Sequence, residues 1–105
     1  FDTNNRKTGA WRFNGPGDFE ELWVHDIANS NQVLYYPDTG EVVLDDVLDD
    51  KTVDAVVIDI ETGEEKGRTA TGTRYPAAMA FYPGLNRDCY STSGAEGVLY
   101  RVFVS

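Results

Sequence analysis

The sequence predicts a mainly-β fold built from antiparallel strands, arranged as a sandwich or a barrel, and three observations predict it. The first is a repeated hairpin signature. Val33-Leu34-Tyr35-Tyr36 meets Pro37-Asp38-Thr39-Gly40-Glu41 and returns as Val42-Val43-Leu44, and Ala55-Val56-Val57-Ile58-Asp59-Ile60 meets Glu61-Thr62-Gly63-Glu64. In each, a β-branched or aromatic run reaches an acidic-Thr-Gly-Glu turn, where glycine supplies the positive φ of a tight reversal. The second is composition: eleven Val, and eleven Asp against seven Glu and three Lys, leave strong helix formers scarce. The third is alternation. Val56, Ile58 and Ile60 fall on one face of a strand and Val57 and Asp59 on the other.

Along the chain, residues 1–10 are polar and aperiodic and read as an N-terminal arm, with residues 11–105 as a single strand-rich domain. Trp11-Arg12-Phe13 is a short strand ended by the turn cluster Asn14-Gly15-Pro16-Gly17. Residues 18–29 carry the one helical pattern. Asp18 caps with Glu21, Phe19, Leu22, Trp23 and Ile27 recur at helical spacing, and Asn29 provides a stop. A strand across residues 21–27 competes, because Trp23-Val24-His25 suits β-structure; a short α-helix is the expectation. Strands are expected at 33–36, 41–44, 53–60 and 98–104, with an acidic connection at 45–51. Residues 69–75 read as a partly exposed strand ended by Pro76, residues 77–82 as a small-residue segment, and residues 85–97 as a loop rich in Ser, Gly and Asn. The expected core is Trp23, Leu34, Val43, Val56, Ile58, Ile60, Phe81, Leu99 and Phe103.

Length and composition fit one domain with one core. Leu, Ile, Val and Phe make 25 of 105 residues, above the ~20% below which disorder is the default. The net charge of −9, with nine basic residues scattered singly, works against nucleic acid and anionic membrane surfaces. One cysteine, Cys89, allows no internal disulfide. No apolar run approaches a membrane span. A chain that opens on Phe1 is expected to be processed or excised from something longer.

Few constellations carry chemistry. His25 is the single histidine, so any imidazole-based proton transfer must use it. Glu21 and His25 would share a helix face, yet zinc needs three or four ligands and no second pair supplies them. Asp45, Asp46, Asp49, Asp50 and Asp54 are the candidate cation ligands, because Ca²⁺ takes several oxygens from a flexible loop; the EF-hand order is missing, and turn-forming aspartates explain the same residues. Glu61, Glu64 and Glu65 lie at a hairpin tip, where nothing promises the desolvation that a glycosidase acid needs. Tyr35, Tyr75, Tyr82 and Tyr90 are candidates for a recognition surface, since tyrosine offers broad contact at low entropic cost.

The expected function is a non-enzymatic interaction or assembly module of an extracellular, virion-associated or multidomain protein. It needs no cofactor, and its partner is another protein chain, in a homo-oligomer or a larger assembly. Neither nucleic acid nor membrane insertion is expected. The arm, with Phe1 as apolar anchor, is expected to reach a neighbouring subunit. Two other classes compete. A small secreted hydrolase or toxin would use His25 as general base, with Arg74 or Arg101 stabilising an anion. An acidic inhibitor or decoy would present its aspartates to a basic partner.

Overall fold

The computed structural model describes residues 7–27, 30, 32–75, 77–81, 88–93 and 97–103, with backbone alone for residues 77, 80, 81, 88 and 103. Nine strands run β1 (Thr8–Gly15), β2 (Asp18–His25), β3 (Val33–Tyr36), β4 (Glu41–Val47), β5 (Thr52–Asp59), β6 (Glu65–Arg74), β7 (Ala77–Phe81), β8 (Asp88–Ser93) and β9 (Val98–Phe103). They form a β1–β2 hairpin, a four-stranded sheet in the order β3-β4-β5-β6 and a three-stranded sheet in the order β7-β8-β9, with all pairings antiparallel.

The four-stranded sheet is the middle of three layers. On one face Leu34, Tyr36, Val43, Ala55 and Val57 pack with Met79, Cys89 and Val102 of the three-stranded sheet. On the other, Val42, Leu44, Val56 and Ile58 pack with Trp23 and Ile27, flanked by Ala10, Leu22 and Ile60. A sheet covered on both sides needs apolar residues at successive positions, which is why β5 reads Ala-Val-Val-Ile without a polar alternation. Val56 and Val57 are both fully buried and face opposite layers.

Both signature turns form as the sequence requires. Gly40 and Gly63 hold φ of 67° and 77°. Ile60 N–H donates to the Gly40 carbonyl at 2.9 Å and so staples the two turns together. The Asp59 carboxylate accepts from the backbone N–H groups of Glu61 at 2.9 Å and Thr62 at 3.1 Å. The bond from Thr62, followed by that from Glu61, holds the carboxyl below its ordinary value of 3.8. A depressed carboxylate stabilises the fold fully above the unfolded-state pKa and loses that contribution as pH falls through the folded one. Acid titration of the melting temperature should therefore show a loss below pH ~4 that is shallower in Asp59→Asn; an unchanged acid limb would contradict it.

Four expectations are corrected by the structure. Residues 18–25 form β2 rather than a helix. Register shifts between Ala10 and Trp11, where Trp23 and Glu21 become the successive partners and Leu22 is left over as a β-bulge. The bulge turns Leu22 and Trp23 toward the same layer, and with Ile27 they imitate helical spacing. Residues 88–93 form β8 rather than loop, and its polarity has a structural cause. Buried Ser91 and Thr73 hydroxyls lie 3.2 Å apart, Thr73 and Thr71 hydroxyls 2.6 Å, and Thr71 donates to the Val53 carbonyl. Leu99 is 61% exposed rather than buried. Among the described side chains of β9, Val102 is the one that faces the core, and Leu99, three positions away, falls on the opposite parity of the strand. Residues 8–10, read as the end of an arm, pair in β1 with His25, Val24 and Trp23. Residues 1–6, and with them the Phe1 anchor, lie outside the described residues, as do Tyr82 and the side chains of Phe81 and Phe103.

Candidate interaction surface on the β1–β2 hairpin

Alternation along β1 and β2 sorts the hairpin into two faces. The inner face is fastened to the central sheet. Trp23 Nε1–H donates to the Ile60 carbonyl at 2.8 Å. Its ring lies so close over Gly63 that an added Cβ there would stand 2.6 Å from Trp23 Cγ. Toward the tip, Arg12 Nη2 donates to both carboxylate oxygens of Glu61, at 3.0 and 2.7 Å, and Arg12 also lies 3.5 Å from Glu20. The hydrogen bond and charge of Glu61 raise the Arg12 pKa. At the base, Thr8 Oγ1–H donates to the Ile27 carbonyl and Lys7 pairs with Asp26, each at 3.1 Å.

The outer face carries aromatic residues that no other layer among the described residues covers. Phe13 and Phe19 are directly paired across the hairpin, with ring centroids 5.3 Å apart and planes tilted by 48°. Each is 63% exposed. Trp11 follows two positions from Phe13, is 49% exposed, and lays its ring over Gly9. Val24, also exposed, extends the strip toward the base. Soluble monomers seldom present contiguous large apolar groups without a use for them. The expectation of a helix concealed this surface. Read as a hairpin closing on Asn14-Gly15-Pro16-Gly17, the sequence sets Phe13 against Phe19 with Trp11 beside them.

The three described tyrosines chosen from sequence lie on or beside three different strands. Tyr35 is exposed on the edge strand β3, Tyr75 is exposed just beyond β6, and Tyr90 is half-buried in β8. A second exposed apolar set, Val98, Leu99 and Tyr100, lies on the edge strand β9.

His25 ends β2, and its Nδ1 is buried without a hydrogen-bond partner among the described residues. Arg101 is exposed on β9, across the central sheet from His25, so those two do not converge. The Arg74 guanidinium donates to the Asp50 carbonyl at 2.8 Å.

The aspartates are occupied with one another's neighbours. Asp45 is buried and accepts from Ser30 Oγ at 3.0 Å and the Gln32 N–H at 2.8 Å. Asp46 and Asp54 oppose each other across β4 and β5, and Arg68 Nη1 bridges them at 2.8 and 3.0 Å, while its Nη2 reaches Glu65 at 2.8 Å. Partial burial works to lower the Arg68 pKa, but the hydrogen bonds it donates to Glu65, Asp46 and Asp54 outweigh it and raise the value. Asp50 accepts from the hydroxyl and backbone N–H of Thr52, which hold its carboxyl low. Asp49 is exposed beside Asp26, Asp46 and Asp50 in an open depression of about 450 Å³. Among the described residues no three His, Cys, Asp or Glu side chains converge as a metal site. Like charges set opposite each other destabilise a sheet, so Arg68→Ala should cost about 1 kcal/mol, and Asp54→Asn in the same chain should recover most of it. The unaltered protein should melt at the same temperature in Ca²⁺ as in chelator; a rise of several degrees in Ca²⁺ would reassign the cluster.

A cavity of about 210 Å³ lies beneath the hairpin, lined by Ala10, Trp23, Ser30, Val42, Leu44 and Ile60 among others. No described helix is long and apolar enough to cross a membrane. Compared with known protein families, curated proteins and solved structures, the chain matches none of them.

Proposed function

We propose that this domain is a non-enzymatic interaction module that engages another protein chain through the outer face of its β1–β2 hairpin. One observation carries the reading: Trp11 and the paired Phe13 and Phe19 stand exposed on one face of a hairpin whose opposite face is anchored to the central sheet. Aromatic side chains on a rigid support lose little freedom on binding and dominate interface energies. The anchoring by Trp23 and Arg12 supplies that rigidity.

The test separates surface from fold. Because Phe13 and Phe19 are mostly in water, the double variant Phe13→Ser with Phe19→Ser should lose no more than about 1 kcal/mol of stability. Proteins retained by the immobilised domain from an extract of its own source should be lost with this variant and kept with His25→Ala and Leu99→Ser. Retention of the same proteins by the double variant would move the interaction elsewhere. Loss with His25→Ala at unchanged melting temperature would favour a catalytic or His-centred site.

A further inference from the structure

We infer that the hairpin face takes an arginine- or lysine-bearing apolar segment of a different protein, and not a second copy of this chain. The inference rests on the interaction reading above and names its partner.

The strip combines aromatic faces with carboxylates free to pair. Glu21 lies directly across from Trp11, and it falls on the outer face with Phe19 because the two are separated by one residue of β2. Asp18 pairs with Gly15 at the tip, beside Phe19. Both carboxylates are exposed, and neither makes an ion pair among the described residues. Glu20, one position away on the inner face, is by contrast within 3.5 Å of Arg12. A guanidinium or ammonium over an aromatic face is attracted by the ring, and its apolar stem covers that ring while a neighbouring carboxylate takes the charge. The outer face offers these partners together: rings at Trp11, Phe13 and Phe19 and the carboxylate of Glu21, with Asp18 exposed at the adjoining tip.

A second copy fits poorly. The chain carries a net charge of −9. Four of its cations, Lys7, Arg12, Lys66 and Arg68, are already paired with carboxylates of their own chain. Self-association through this face would set Glu21, with Asp18 at the tip, against another acidic surface, and like-charge juxtaposition across an interface selects against that partner.

Short soluble peptides that share their leucines and differ only in Arg, Gln or Glu at the alternating positions serve as probes. The Leu–Arg peptide should bind most tightly and weaken steeply as added salt shortens the screening length. Glu21→Gln with Asp18→Asn should weaken it about tenfold, a loss of about 1.4 kcal/mol, while Asp49→Asn, at the far turn, should change it less than about twofold. An equal loss in Asp49→Asn would show attraction to net charge alone and overturn the inference. Equal binding of the three peptides, still abolished by Phe13→Ser with Phe19→Ser, would overturn the basic preference and leave the interaction face standing. No dependence on Phe13 and Phe19 would remove both readings. A dimer in sedimentation that the double serine variant dissociates, or capture by phosphatidylcholine vesicles in place of peptide, would equally overturn the proposed partner.

Discussion

Trp23→Ala should lower unfolding free energy by about 3–5 kcal/mol, the range for removing a large aromatic side chain from a core. Trp23 joins more of the structure than its nine-per-cent exposure suggests. Its ring packs with Val42, Leu44, Val56 and Ile58, seats on Gly63, and donates to the Ile60 carbonyl. Truncation opens a void between two layers and leaves that carbonyl without its indole donor. Trp23→Phe separates the effects, since it keeps most of the apolar contact and removes the hydrogen bond, a change of about 1 kcal/mol on that account. Urea denaturation gives both numbers. A loss below ~1 kcal/mol for Trp23→Ala would mean that the hairpin does not rest on the sheet.

Val56→Asp and Val57→Asp should each cost more than about 4 kcal/mol, because each puts a carboxylate without a partner into an apolar layer. A domain of this size is stable by only ~5–15 kcal/mol, so both variants should be largely unfolded at neutral pH. The pairing of the two substitutions is informative. In a sheet with one wet face, neighbouring positions alternate and only one of them would be damaging. Here both are fully buried, Val57 against the three-stranded sheet and Val56 against the hairpin. Val33→Asp, at an exposed position of the same sheet, should stay within about 1 kcal/mol of the original. Native stability in Val56→Asp would contradict the three-layer arrangement.

What could be read from the sequence followed from how local its cause is. The two acidic-Thr-Gly-Glu turns and strands β3, β4 and β5 are specified by adjacent residues, and they form near where those residues place them, although β4 continues through Val47 into the expected acidic connection. The misread segments depend on distant partners. The helical spacing of Leu22, Trp23 and Ile27 matches a common inner layer only through a bulge that exists when β2 is paired with β1. The serines of β8 are core residues because Thr73, eighteen positions earlier, meets Ser91. In β9, five apolar residues among six leave the inward parity undecided until Val102 packs on the neighbouring sheet. The candidate site shows the same division. The aspartates of β4 and β5 looked like a cation cluster because their counter-ion, Arg68, stands 14 positions from Asp54 and 22 from Asp46. Trp11, Phe13 and Phe19 were visible as residues. Their common face was not, since it requires the hairpin.

Side-chain footprinting by hydroxyl radicals, on the free domain and on its complex, tests the central claim most directly. In the free protein Trp11, Phe13 and Phe19 should oxidise readily and Trp23 slowly, as their exposures require. In the complex the first three should become protected while Leu99 and Tyr75 keep their rates. Protection of Leu99 with Trp11, Phe13 and Phe19 unchanged would place the partner on β9 and contradict the hairpin as the surface of interaction.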